Sequence, residues 1–206
     1  MQQIIKTMKR LFFFSLFVTL VVSLSAASPS GTLPVLYIQT ENNAPIVSKE
    51  DYINATYYLD AMGLAGYQSI GSASTPLTME IKGRGNYTWR DFNKKPYRLK
   101  LSEKQPLMGM TKSKHFALLA HADDALNKKG FMRNQVGFEL SRMIGMAWTP
   151  ATAPVEVVLN GDYIGLYFLT ETIRVDKDRV NIVEQEDEET DSAKITGGWL
   201  VEIDNY

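Results

Sequence analysis

The sequence predicts an α+β fold, a mostly antiparallel sheet with one long helix packed on it. Three observations carry that expectation. Short segments rich in β-branched and aromatic residues follow one another directly. Asn160-Gly161 stands between two of them, and residues 131–144 repeat their apolar side chains at helical spacing. Strands that pair with their sequence neighbours give antiparallel ladders, whereas a doubly wound sheet needs a helix after almost every strand.

The first 27 residues are set aside. Lys6, Lys9 and Arg10 precede an apolar run over residues 11–24, and Ser25-Ala26-Ala27 supplies small residues before Ser28-Pro29. This is the layout of a secretory signal cut after Ala27, which leaves residues 28–206 as the folded unit. The run is shorter than the roughly 20 residues a spanning helix requires. The chain has no cysteine to carry a lipid. The product is expected to be exported, to the periplasm, cell surface or medium, not as a lipoprotein and with no transmembrane span after cleavage.

Residues 33–39 (LPVLYIQ) read as a first strand, closed by the polar ENNAP turn. Residues 51–66 read as a helix, with Ser48 or Asp51 as its N-cap. After a Gly/Ser/Thr loop, residues 78–82 (TMEIK) form a strand that runs into Gly83-Arg84-Gly85-Asn86. Residues 95–101 (KPYRLKL) alternate, with Lys95, Tyr97, Leu99 and Leu101 on one face and Pro96, Arg98 and Lys100 on the other. Residues 116–120 (FALLA) make a short apolar strand. In the helix that follows, Met132, Val136, Leu140 and Met143 share one stripe, Glu139 flanks it, and Gly145 suits the position just past the end. Residues 155–159 and 163–170 form a hairpin around Asn160-Gly161. The acidic residues 184–191 read as a solvated loop, and residues 198–203 as a last strand.

Composition limits the chemistry. With no cysteine and only His115 and His121, thiol nucleophiles, thiolate zinc sites and iron–sulfur clusters are excluded and a histidine-rich metal site is disfavoured. The chain is nearly neutral, with 22 basic and 23 acidic residues, but the charge is uneven. Between residues 82 and 115 ten Lys and Arg face only Asp91 and Glu103, and both flanks are acidic. A basic block in an acidic chain implies internal pairing or an anionic ligand.

Several residues stand out within and after that block. Gly83, Arg84 and Gly85 combine close backbone approach with a planar donor fork for phosphate or carboxylate, although the same glycines serve an ordinary hairpin loop. No Gly-Lys-Ser/Thr follows, so the loop is not a Walker motif. Lys95, on the apolar face of its strand, must find an anion or carboxylate, with Glu139 as one possible partner, or lie along the sheet with its ammonium in water. Glu171 ends the hairpin with no evident structural purpose beyond exposure. Residues 176–179 (DKDR) read as a charged helix or turn.

In order along the chain, IKGRGNYTW, KKPYRLKL, KSKHFALLAHADD, FMRNQVGFEL with SRMIGM, VEVVLNGDYIGLYFLTETIRVDKDRVNI and GGWLVEID together resemble the CotH kinase family, named for spore coat protein H. The resemblance implies the N-terminal lobe of an exported atypical protein kinase that uses ATP and Mg²⁺ to phosphorylate a Ser/Thr-rich protein, with no nucleic-acid partner. It implies nucleotide-side roles for Gly83, Arg84, Gly85, Lys95, Glu139 and Glu171, with Arg84 and Lys95 foremost. The family's catalytic and metal-binding aspartates lie in a Trp-Asp-x-Asp-like segment. Trp89, Trp148 and Trp199 are followed here by Arg, Thr and Leu. The catalytic residues are therefore expected beyond Tyr206 and no metal ligand is assigned. The chain is read as an N-terminal fragment or truncated product, inactive by itself. The competing reading is a non-catalytic surface adhesin or coat scaffold that binds an anionic partner.

Overall fold

The computed structural model describes residues 27–120, 132–183, 188–195 and Leu200. Residues 1–26 of the expected signal segment, and residues 198–203 apart from Leu200, lie outside the described residues.

Seven strands close into a barrel, which corrects the expected α+β fold of a mostly antiparallel sheet with one long helix packed on it. They are β1 (Val35–Thr40), β2 (Ile53–Asp60), β3 (Leu77–Gly83), β4 (Tyr97–Gln105), β5 (Ser113–Leu119), β6 (Thr152–Leu159) and β7 (Asp162–Glu171). The order around the barrel is β1-β2-β3-β4-β5-β7-β6, and β6 returns to β1. Each neighbouring pair is antiparallel except β1 with β6, a parallel seam in which Val35, Leu36, Tyr37 and Ile38 face Glu156, Val157, Val158 and Leu159. The seam joins segments more than a hundred residues apart, so no local pattern announces it. Closure leaves no sheet edge to protect.

The interior is filled by the alternate residues of every strand, as a small barrel requires. Leu36 and Ile38, Ala55, Tyr57 and Leu59, Met79 and Ile81, Tyr97, Leu99 and Leu101, Phe116 and Leu118, Ala153, Val155 and Val157, and Tyr167 and Leu169 form one buried cluster. Burial pushes the Tyr57 phenol up to about 12.

Residues expected to form a helix over 51–66 instead hold β2. The segment INATYYLD alternates, with Ala55, Tyr57 and Leu59 inward. Its apparent N-cap is a turn. The Ser48 hydroxyl oxygen accepts the backbone N–H groups of Glu50 and Asp51, each at 3.0 Å, and the chain then extends. Serine satisfies backbone donors in the same way in a turn and at a helix start.

The hairpin agrees with its sequence signal. Asn160 and Gly161 have φ of 54° and 86°, the left-handed pair of a type I′ turn. Asn160 also accepts the Thr40 backbone N–H at 2.8 Å and so ties the turn to β1.

Helix α1 (Tyr87–Asp91) is a single turn after β3, and α2 (Arg133–Met143) is the long helix. It ends at Gly145, φ 77°, where the Met146 N–H reaches the Ser141 carbonyl and the Gly145 N–H the Arg142 carbonyl. The helix does not lay its apolar stripe on the barrel. Met132, Val136, Leu140 and Met143 are exposed, whereas Gln135, Phe138 and Ser141 are half-buried. A hydroxyl contact from Ser141 to Thr149 at 2.7 Å and an Arg142 bond to the Pro150 carbonyl at 2.9 Å hold α2 to the chain that leads into β6.

Candidate anion-binding site

The end of β3 builds one wall of the site. Gly83 faces the barrel interior opposite Tyr97, and the Trp89 indole of α1 lies directly over it. A Cβ on Gly83 would meet three indole carbons at 2.5–2.7 Å, so glycine here seats a tryptophan. Gly85, φ 80°, makes the turn into α1. Between the two glycines, the Arg84 N–H donates to the Pro96 carbonyl at 3.1 Å, which fixes the backbone while the guanidinium lines an outer cavity.

That cavity holds about 480 Å³ on the outer face of β4, β5 and β7. Arg98, Ala117 and Thr170 stand side by side across these three strands and form its floor. Leu119, Phe138 and Ile173 supply apolar wall, and Thr172 a second hydroxyl. The Arg98 Nε is buried without a hydrogen-bond partner. Burial, and then the neighbouring Arg98 charge, hold the Arg84 guanidinium below the usual arginine range. Neither arginine is in an ion pair among the described residues. Two guanidiniums in one cavity with no answering carboxylate among the described residues call for an anion, because an unpaired desolvated charge is costly.

Glu171 also lines the cavity, but its carboxylate is already used. It is buried at 5% exposure, accepts Arg179 Nη2 at 3.1 Å on one oxygen and the Ala151 N–H at 2.9 Å on the other. This ion pair joins the end of β7 to the segment after it. Arg179 of the charged DKDR segment is therefore a buried part of the fold.

The other candidates lie elsewhere. The Lys95 ammonium donates to the Trp89 carbonyl at 2.6 Å and sits 5.7 Å from the centre of that ring, so it braces α1. Lys94 enters the barrel end. Its ammonium donates to the Leu166 carbonyl at 2.6 Å and lies 4.4 Å from the Tyr167 ring centre, and burial lowers its pKa. Glu139 is exposed on α2 and pairs with Arg142 at 3.3 Å, leaving Phe138 as the residue of that helix that lines the cavity. The structure thus gathers Arg84 and Glu171 at one site and places Lys95 and Glu139 outside it. It adds Arg98 of β4 and Thr170 of β7, which β5 brings side by side, and Thr172 just beyond β7.

The cavity fits the phosphate groups of a nucleotide. It lies within the roughly 300–1,000 Å³ of small-molecule pockets and presents unpaired planar donors. Divalent metal is different: among the described residues no group of three or more His, Asp or Glu could hold one.

A comparison with curated proteins finds no match. The family model described as CotH kinase protein matches residues 81–203, from the last residues of β3 through the whole cavity wall and beyond β7. That is more than half of the sequence, and the chain belongs to the CotH kinase protein family.

Proposed function

We propose that the chain supplies the phosphate-holding cavity of an exported CotH-type protein kinase, which transfers the γ-phosphate of ATP to serine or threonine of a coat or envelope protein. The observation that carries this reading is the Arg84–Arg98 pair, two half-buried cations that share one cavity and have no ion-pair partner among the described residues, since Glu171 there is committed to Arg179. Family membership adds the reaction class, and the charge and apolar pattern of residues 1–27 adds export.

Phosphoryl transfer is mainly positioning and charge neutralisation. ATP supplies the transferred group. Arg84 and Arg98 would hold phosphate oxygens through their planar N–H donors, with Leu119 and Phe138 as apolar wall, while the Thr170 hydroxyl is already engaged with Thr152 at 2.8 Å and the Thr172 hydroxyl with the His115 carbonyl at 3.5 Å. No step is assigned to Mg²⁺, because the described residues do not form a ligand set.

One observation favours a second reading, in which the same cavity makes the chain a surface adhesin or coat scaffold. Glu171, the carboxylate that lines the cavity, is committed to Arg179 and Ala151 and is not free for chemistry. An anion could then be held without being changed.

The test is thermal unfolding with and without ATP and Mg²⁺. Saturating nucleotide should stabilise the protein, by about 2.7 kcal/mol at a hundredfold excess over Kd. Arg84→Ala with Arg98→Ala should abolish the shift. Lys95→Ala, which removes an ammonium outside the cavity, should keep it. A shift that survives the double arginine change, or is lost only with Lys95, overturns this placement of the phosphates. A shift with polyanions but none with ATP selects the scaffold reading.

A further inference from the structure

A second basic cavity lies on the same outer face, where β4 ends, β5 begins and the chain leaves β7. It holds about 190 Å³, below the size of a nucleotide pocket and suited to a single charged group. Lys104, Lys112, Lys114 and Arg174 form its rim, against which Asp176 sets one carboxylate. None of these four cations makes a side-chain hydrogen bond or ion pair among the described residues. The floor is built rather than fluid. Arg179 is 5% exposed, its Nη2 is fixed by Glu171, and its Nε has no partner. His115 beside it has a buried Nδ1, also without a partner.

We propose that this cavity binds a phosphate monoester dianion, carried on a phosphoserine side chain or presented as free phosphate. A carboxylate would answer one of the rim charges, whereas a phosphate brings a charge of about −1.5 to −2 and three acceptor oxygens to a cluster of four. The adjacency of the two cavities gives the site a use, which rests on the kinase reading. A substrate already phosphorylated on one serine docks here and offers another to the Arg84–Arg98 cavity.

His115 reports occupancy. Burial comes first, and then the charges of Arg174, Arg98, Lys100 and Arg179, in pushing its imidazole down to about 4. Asp176 is the carboxylate at this cavity. An anion that enters among these cations must raise the His115 pKa. The experiment is an NMR titration of the histidine ring signals, with His121→Gln to assign them. The probes are a short phosphoserine peptide, its unphosphorylated twin and inorganic phosphate at fixed ionic strength. The phosphopeptide should shift His115 and raise its pKa, the unphosphorylated twin should not, and Lys112→Ala with Lys114→Ala and Arg174→Ala should weaken the response at least tenfold. These rim residues are exposed, so their loss leaves the fold intact.

Inorganic phosphate that matches the phosphopeptide shows that the site reads the group alone, and a tighter phosphopeptide shows that the chain around it adds contacts. Either result supports the site. No His115 response at millimolar probe, or a response that survives the rim substitutions and is lost with Arg84→Ala and Arg98→Ala, overturns it. ATP with Mg²⁺ is titrated in parallel. A His115 response without nucleotide binding keeps the site and removes its kinase role, and nucleotide binding without a His115 response removes the site alone.

Discussion

Gly83 shows how a single residue can serve packing where its sequence context suggests a ligand. The Gly-Arg-Gly-Asn segment has the composition of a phosphate loop, yet the missing side chain at Gly83 is filled by Trp89 and not by an anion. Of the segment's four residues only Arg84 lines the cavity. This separates two kinds of substitution. Gly83→Ala forces a methyl group into the indole ring, and overpacking of that kind costs about 1–3 kcal/mol. Urea unfolding should therefore show a lower midpoint with an unchanged slope. In a Trp89→Leu background the same change should cost little, since the clashing ring is gone. Equal losses in both backgrounds would show that the backbone at Gly83, and not the ring, demands glycine.

At the scale of elements, what could be read depended on how local each signal was. The Asn160-Gly161 turn and the Tyr97, Leu99, Leu101 alternation depend on neighbours in sequence, and the barrel has both. β2 was obscured because Ser48 bonds backbone amides in a turn as it would at a helix start. Arg98 looked like any charge on a polar strand face. Its role depends on Ala117 and Thr170, which β5 and β7 bring beside it. Glu171 stands out in the sequence, but the partner that explains it, Arg179, lies in a run of four charges that reads as a charged helix or turn. Helix α2 is the sharpest case. Its apolar stripe was the strongest helical signal in the chain, and periodicity locates a helix without saying what covers it. Leu140 is 55% exposed, so Leu140→Lys should change stability by no more than about 0.5 kcal/mol. A buried leucine replaced in this way would cost several times more. A loss above about 2 kcal/mol in urea unfolding would mean that the stripe is covered.

The molecule as a whole depends on one seam. Six of the seven strand pairings are antiparallel, and the parallel β1–β6 pair alone turns the sheet into a barrel. Around that seam the outer face is also secured. Glu156 accepts the Ser30 N–H at 2.8 Å and the Tyr163 hydroxyl at 2.6 Å, which clasps the segment before β1 onto β6. Inside, Leu36 and Val157 are register partners, and both are 0% exposed. Closure also presses β4, β5 and β7 into the curved outer face that carries both basic cavities, so the sites depend on a contact made elsewhere in the barrel. Leu36→Ala should cost about 2–5 kcal/mol, and Val157→Ala about 1.5–3 kcal/mol, through lost burial and the cavity left behind. The pair then tests closure directly. Side chains in contact across a sealed seam share one cavity when both are truncated, so the double variant should depart from the sum of the single losses by more than the ~0.5 kcal/mol expected of independent sites. Urea unfolding of the wild type, the two single variants and the double variant measures that coupling. If the losses add within ~0.5 kcal/mol, the two strands do not pack against each other. The sheet is then open at β1, and the cavities lose the curvature that brings their charges together.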